Sequence, residues 1–391
     1  MPEPVLSPLP PILPSPAAPV RMAMVGGGPG AFIGPVHRRA AALDGAIALV
    51  AGAFSRNASR NAEAGRALGL APARVYADAD ALVAGEAALP ADVRAEFVTI
   101  VTPNHLHADA AVAALEAGFA VFCEKPLAGT LAEARRIAAA AVRAPLGIAF
   151  TYLGYPLVRE ARALVAAGRI GAVRRVAVSY TQGWLARAVE REGNAQAAWR
   201  TDPAQAGAGG ALGDIGVHAQ SLAEHVSGQQ IVALAADFRA AVAGRRLDDD
   251  GAMLLRFANG ARGTLVASQI CCGDENRLSL SVYGETGALH WAQEQPNELI
   301  LAEDGRPAQR ITANAALLSD EGARSLLRLP GGHPEGYIEA FANLYGSFAG
   351  ALRGAAAGLV AGADLGVRSA AFVEAALASS AADGQWRPLA V

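Results

Sequence analysis

The 391 residues suffice for two domains of ordinary size, each with a core of its own. With 33 basic and 36 acidic side chains the net charge is -3, which excludes a polybasic face for nucleic acid or anionic lipid; the alanine-rich apolar runs are broken by charge before they reach the length of a bilayer. Three cysteines, Cys123, Cys271 and Cys272, make neither a CxxC pair nor a disulfide framework, so a reducing, cytoplasmic setting is expected.

The first twenty residues hold eight prolines and no basic residue. They lack the positive start and unbroken apolar stretch of a secretory leader. The composition predicts instead an extended, proline-rich arm over 1–19, either disordered or laid along another subunit.

Strand-like Val20 to Val25 then enters a glycine-rich turn from Gly26 to Gly34, followed by helical Pro35 to Ala42. In a strand, glycine turn and helix of this kind, backbone N–H groups and the helix N-terminus hold a pyrophosphate. Gly26, Gly28 and Ala31 fit the G-x-G-x-x-G/A spacing, while Gly30 and Gly34 offer a second register, so Gly26, Gly28, Gly30, Ala31, Phe32 and Ile33 are the candidate cofactor contacts. The next strand, Ile47 to Phe54, ends at Ser55-Arg56, with Arg60 one helical turn further on. An acidic side chain here would bond the adenosine ribose and repel a 2′-phosphate. Ser55 with Arg56 or Arg60 leans towards NADP and leaves NAD open.

Helices near Ala58–Leu68 and Asp78–Gly85 and a short strand at Val75-Tyr76 continue the alternation. Glu96 to Val101 reads as a buried parallel strand ending in Thr102-Pro103-Asn104-His105-Leu106-His107. After a helix near Ala108–Ala117, apolar Phe119 to Phe122 runs into Cys123-Glu124-Lys125-Pro126. Ligands of a doubly wound sheet lie beyond the carboxyl ends of its strands, so Thr102, Pro103, Asn104, His107, Glu124 and Lys125 join the cofactor candidates. Lys125 is the only lysine; all other basic side chains are arginine. Unlike guanidinium, an ammonium is a compact donor able to give up its proton, which marks Lys125 as a candidate for chemistry.

A helix near Leu131–Val142 and a strand near Gly147–Phe150 complete this half. Helix Leu157–Ala167 and strand Val173–Tyr180 open the next, and 185–208 reads as a long irregular loop carrying Trp199 and Arg200. Strands dominate from about Ile231 to Leu301 (Ile231–Phe238, Gly251–Phe257, Ala261–Ile270, Arg277–Gly284 and Ala288–Trp291), predicting an open, largely antiparallel sheet. Helices near Tyr337–Arg353 and Ala363–Ser379 close the chain. At the junction lies Gly213-Asp214-Ile215-Gly216-Val217-His218; a helix beginning near Asp214 puts Asp214 and His218 on one face. They read as an acceptor and a titratable imidazole, as an N-cap with a core histidine, or, with His225, as metal ligands. Tyr152, Tyr155, Gln182, Trp199, Arg200 and His333 are the remaining candidate substrate contacts, joining Lys125, Asp214 and His218.

Ile33-Gly34-Pro35-Val36-His37, Thr102 to His107, Glu124-Lys125-Pro126 and Gly213 to His218, in this order, resemble the glucose-fructose oxidoreductase, inositol dehydrogenase and rhizopine-catabolism (Gfo/Idh/MocA) family. The resemblance implies an α/β fold, with a Rossmann domain over 20–150 holding NAD or NADP and an α/β domain over 151–391. The open sheet of the second domain would bind substrate and build a homo-oligomer, a dimer or tetramer. It also implies hydride transfer to or from a secondary hydroxyl or ketone of a sugar, glycoside or cyclic polyol, with no metal. Lys125 would match the family's catalytic lysine, with Asp214 and His218 facing it, and the Lys125–Pro126 bond one that is often cis. Pro29-Gly30-Ala31 departs from the pattern as an insertion, and some relatives carry proline-rich arms that embrace a neighbour. On this reading Lys125 steadies the substrate oxygen, His218 or Lys125 itself is the base, and Asp214 holds the imidazole or a sugar hydroxyl. The competing readings are a lyase or glycosidase that retains NAD and oxidises its sugar transiently, and a non-catalytic dinucleotide-binding protein.

Overall fold

A computed structural model describes residues 18–355 and 358–390, so the proline-rich arm falls almost wholly outside the described residues. The first sheet comprises β1 (Val20–Gly26), β2 (Ile47–Ala53), β3 (Phe97–Val101), β4 (Ala120–Cys123) and β5 (Leu146–Ile148), all parallel, in the order β2-β1-β3-β4-β5. Every residue of β3 and β4 is buried, as a parallel sheet covered on both faces requires. Strand order reverses between β1 and β3, which opens a crevice at their carboxyl ends.

The helices of this half are α1 (Ile33–Leu43), α2 (Ala58–Ala67), α3 (Ala79–Ala87), α4 (His107–Glu116) and α5 (Leu131–Ala140). Local chemistry starts several of them. Pro35 occupies the first turn of α1, where an N–H would have no helical partner. Asn57 and Asp78 accept the Arg60 and Ala81 N–H groups, and Thr130 and Glu133 form a reciprocal capping box. The strand expected at Val75-Tyr76 is reduced to a single bridge between Val75 and Gly52.

The second sheet has nine strands, β6 (Arg175–Thr181), β7 (Ile231–Arg239), β8 (Asp250–Phe257), β9 (Arg262–Ser268), β10 (Arg277–Tyr283), β11 (Gly287–Ala292), β12 (Glu298–Glu303), β13 (Gln309–Thr312) and β14 (Arg387–Pro388). Their order is β13-β12-β11-β10-β6-β9-β8-β7-β14, with only β6 and β9 parallel among the named strands. The fold is α/β, as the strand and helix pattern predicts. Helices α6 (Pro156–Ala166), α7 (Ala195–Arg200), α8 (Pro203–Ala206), α9 (Val217–Ser227), α10 (Glu321–Arg324), α11 (Tyr337–Leu352) and α12 (Ala363–Ser380) accompany it. No helix among the described residues is long and apolar enough to cross a membrane.

Two features depart from expectation. The stretch 185–208 is not an irregular loop throughout, because Asn194 caps α7 and Asp202 with Pro203 starts α8. Helix α11, from the part of the chain expected to form the second domain, packs on the first sheet, where Tyr345 and Phe348 meet Phe97 and Phe122. The face of β1, β3 and β4 that carries Met22, Phe97 and Phe122 is sealed by this returning helix.

Candidate active site

The glycine turn leaves β1 with Gly26 and Gly27 at φ +88° and +70°, a region L side chains rarely enter. A Cβ on Gly28 would stand 2.4 Å from the Phe54 carbonyl oxygen, and one on Gly34 would stand 2.4 Å from the Gly27 Cα. The glycines thus let the turn press between β2 and the start of α1. Pro29 and Gly30 bulge outward in a tight turn closed by the Ala31 N–H on the Gly28 carbonyl at 3.0 Å, and Arg60 pins it by donating to the Pro29 carbonyl. Beyond lies a cavity of about 770 Å³ lined by Gly26 to Ile33, Ser55, Arg56, Arg60, Thr102 and Pro103. Thr102 Oγ1 is buried there without a partner. The bare turn, the helix N-terminus behind it and this orphaned hydroxyl fit a dinucleotide.

A second cavity of about 410 Å³ adjoins the first, and Phe32, Ile33, Thr102, Trp199 and Arg200 line both. Lys125, Asp214 and His218, contributed by both halves of the chain, meet in its wall. Lys125 follows β4, and its bond to Pro126 is cis. Its Nζ donates to the Asp214 carbonyl at 2.8 Å and to Asp214 Oδ1 at 3.0 Å. An ammonium has three donors, so one is left for the cavity.

Asp214 sits in a π-helical turn, Leu212–Gly216, that runs into α9. The turn is anchored by Asp248, whose two carboxylate oxygens accept the Gly210 and Leu212 N–H groups at 2.7 Å each. Asp214 Oδ2 accepts from Arg200 Nε at 3.2 Å and Gln269 Nε2 at 3.0 Å. The charges of Lys125 and Arg200 outweigh burial and hold this carboxyl well below the usual carboxylate range. The sequence predicts that Asp214 holds the imidazole or a sugar hydroxyl; in the structure its carboxylate binds the Lys125 and Arg200 cations and makes no bond to His218.

His218 is buried, its Nδ1 has no hydrogen-bond partner, and the rings of Phe150, Tyr152 and Tyr180 surround it. Burial, reinforced by the Lys125 charge, pushes its pKa well below 6.5, so the ring is neutral at physiological pH. Tyr152 bonds the Tyr180 hydroxyl and accepts from Asn276 Nδ2, and burial raises its own pKa to about 12.

Glu124 does not face the Lys125 amine. Its carboxylate accepts from His37 Nε2 at 2.8 Å and from the Lys125 backbone N–H at 2.8 Å, while Tyr345 lies 2.7 Å from the other ring nitrogen of His37. That chain ties the residue before Lys125 to α1 and α11.

Gln182, Trp199, Arg200, Tyr152, Asn104 and Glu124 line the smaller cavity as well. Three candidates lie elsewhere. His107 is buried between the Thr102 and Pro126 carbonyls, 2.9 and 3.0 Å from its ring nitrogens, and clasps two strand ends together rather than touching either cavity. Tyr155 is buried against Trp291, because it opens α6 facing the second sheet's core. His333 is exposed in the turn before α11, beside the Pro330 carbonyl. His225, weighed as a metal ligand, is half-buried at the end of α9 with a pKa lowered to about 4, chiefly by desolvation, and no cluster of three metal-ligating side chains occurs among the described residues. Sequence reasoning missed Tyr180, Gln269, Glu275, Asn276, Gln293 and Tyr337, which are brought in by strand ends and a helix start remote in the chain. Only the abrupt polar ends of apolar strands hinted at the first five.

Residues 20–150 match the oxidoreductase family with an NAD-binding Rossmann fold, and residues 158–290 match the GFO/IDH/MocA C-terminal domain. The uncharacterized oxidoreductase YfiI of Bacillus subtilis (strain 168) is 35% identical over 77% of this chain and 78% of its own. Levoglucosan dehydrogenase of Pseudarthrobacter phenanthrenivorans is 32% identical over 54% of this chain and 59% of its own. Among solved structures, an inositol dehydrogenase homolog from Azotobacter vinelandii complexed with NAD+ superimposes with a TM-score of 0.89 at 36% identity, covering 95% of this chain and 98% of that one.

Proposed function

The chain belongs to the Gfo/Idh/MocA family of NAD-binding oxidoreductases, and from that premise we propose that it transfers hydride between the nicotinamide and a secondary hydroxyl or ketone of a sugar or cyclic polyol. The observation that carries the reading is Lys125, which gives two of its three N–H donors to Asp214 and lines a cavity that also holds a neutral imidazole and adjoins the dinucleotide cavity. When bound, the nicotinamide supplies the hydride acceptor or donor.

The remaining work falls to side chains. Lys125 Nζ donates to the reacting oxygen and stabilises the negative charge that grows on it as the carbinol is oxidised. Asp214 fixes the ammonium through one carboxylate oxygen and its own carbonyl, so the donor needs no reorganisation. The neutral ring of His218 takes the hydroxyl proton, and returns it in the reverse direction. Phe32 and Trp199 stand at the junction of the two cavities. At the end of β2, Ser55 and Arg56 stand where a carboxylate would repel a 2′-phosphate, so the reading extends to NADP. A homo-oligomer built on the open sheet is part of the same reading; Leu254 on its outer side is 54% exposed.

The test is a panel of monosaccharides, anhydrosugars, glycosides and inositols with NAD and with NADP, read by the absorbance of reduced nicotinamide. Turnover of at least one polyol is expected. Cofactor binding without net reduction by any of them overturns the dehydrogenase reading, and release of an aglycone in that case assigns the retained-cofactor lyase.

A further inference from the structure

The histidine that closes the Ile33-Gly34-Pro35-Val36-His37 stretch lines neither cavity, yet it is fully buried and has a polar partner on each ring nitrogen. His37 Nε2 donates to Glu124 Oε1 at 2.8 Å, and Nδ1 meets the Tyr345 hydroxyl at 2.7 Å. The Phe341 and Tyr345 rings pack against it with centroids 4.8 and 5.7 Å away, which fixes its plane.

What the Nε2 bond holds is the residue before Lys125. Strand β4 stops at Cys123, and the Glu124 N–H makes one further bond, to the Ile100 carbonyl at 2.9 Å. The Lys125 N–H then leaves the sheet and donates to Glu124 Oε2 at 2.8 Å. One carboxylate therefore carries the Lys125 backbone on one oxygen and His37 on the other. Burial pushes the Glu124 carboxyl up, but the His37 bond and the Lys125 charge outweigh it and hold the group below its usual range. Without a donor from position 37 this buried carboxylate keeps a single bond, and it either protonates or turns towards the Lys125 amine, with which it shares a cavity wall. Either change shifts the backbone from which the amine hangs, and a displacement of about 1 Å at a reacting group costs about 10² in rate.

We propose that His37 is a positioning residue for the Lys125 amine, acting by holding the Glu124 carboxylate on the Lys125 N–H and away from that amine. Its effect on turnover rests on the hydride-transfer reading above; its effect on the place of the amine does not. The feature that matters is the Nε2 donor rather than the ring, and the two ring nitrogens can be tested apart. A glutamine amide reaches the Nε2 position and an asparagine amide the Nδ1 position. H37Q thus keeps the bond to Glu124 and loses the one to Tyr345, and H37N does the reverse.

Because Lys125 is the only lysine, protein grown on lysine isotopically labelled at Cε gives a single side-chain magnetic resonance signal, beside the amine in question. In NADH-loaded protein that signal is expected to be displaced in H37N and to return to the parent position in H37Q. On a polyol that the panel turns over, H37N should lose about 10² in kcat with the NADH dissociation constant within about threefold, and H37Q should recover at least about tenfold of that loss. In a K125M background H37N should cost no further kcat, since the group it acts through is gone. An undisplaced signal in H37N, equal displacement in H37N and H37Q, or a full further loss of kcat in the K125M background overturns the assignment. Where H37N fails to fold, H37Q decides alone: a signal at the parent position supports the proposal and a displaced one overturns it. Where no polyol is turned over, the hydride-transfer reading fails, and the signal still decides whether His37 places the amine.

Discussion

Replacing Lys125 by methionine removes the amine while keeping an unbranched side chain of similar length. Lys125 Nζ lies 2.8 Å from the Asp214 carbonyl and 3.0 Å from Asp214 Oδ1, leaving one N–H for the substrate oxygen. Loss of such a preorganised donor to a developing oxyanion costs about 2.7–4 kcal/mol, or about 10²–10³ in kcat. The structural cost is smaller, because Asp214 retains Arg200 at 3.2 Å and Gln269 at 3.0 Å, and only its carbonyl and one carboxylate oxygen lose a donor. About 1–3 kcal/mol of stability is at stake, so the variant still folds. Lys125→Arg restores the charge with a planar fork that does not fit a site built for a point donor, and should be nearly as slow. The assay is steady-state turnover of a polyol found in the panel, beside NADH affinity from fluorescence. Expected is a fall in kcat of about 10²–10³ with the NADH dissociation constant within about threefold. A methionine variant with kcat within threefold of the parent removes the amine from the chemistry, and a parallel loss of NADH binding makes it a structural residue.

Titration provides a second test. His218 acts as base only when unprotonated, and burial with the Lys125 charge keeps its pKa well below 6.5, against the opposing charge of Asp214. The active form therefore persists as pH falls through 6.5, and kcat/KM should decline only below that value; an acid limb centred at or above 6.5 contradicts the assignment. His218→Gln should lower kcat by about 10²–10⁴ at every pH where the parent works. At the adenosine end, Ser55→Asp should raise the NADP dissociation constant at least about tenfold and spare NAD; equal affinity for NADP before and after places the 2′-position elsewhere. Gly28→Ala forces a methyl to 2.4 Å from the Phe54 carbonyl oxygen and should cost about 1–3 kcal/mol together with NAD affinity, read by thermal denaturation with and without cofactor. Far from the site, Glu86 is fully buried and accepts from Arg74 Nε and Nη2 at 2.7 Å each, the Tyr76 hydroxyl and the Ala95 N–H. Arg74→Met should destabilise by about 3 kcal/mol without changing KM, and a neutral outcome would show that Tyr76 and the Ala95 N–H suffice.

Local chemistry was legible in the sequence, and long-range partnership was not. Gly26 to Gly34, Thr102-Pro103-Asn104 and Glu124-Lys125 each end a strand, and the alternating pattern alone sends parallel strand ends to one edge. Helix α11 was legible as a helix, but its return to the first sheet depends on Tyr345 and Phe348 finding Phe97 and Phe122 some hundreds of positions earlier, which no periodicity encodes. Tyr155 by residue type, and His333 by its place in the glycine-rich turn before α11, read as substrate contacts. Burial against Trp291 and exposure in a turn decided otherwise. Asp214 is the most instructive case. The four-residue spacing to His218 suggested a carboxylate serving an imidazole, yet a neutral buried ring offers a carboxylate far less than two cations do. With Lys125 at 3.0 Å and Arg200 at 3.2 Å, Asp214 goes to the charges. His218 is consequently left without a carboxylate to raise its pKa by hydrogen bonding. A ring in that state is unprotonated near neutrality, with Nδ1 unpartnered, and is a weaker base than a free imidazole.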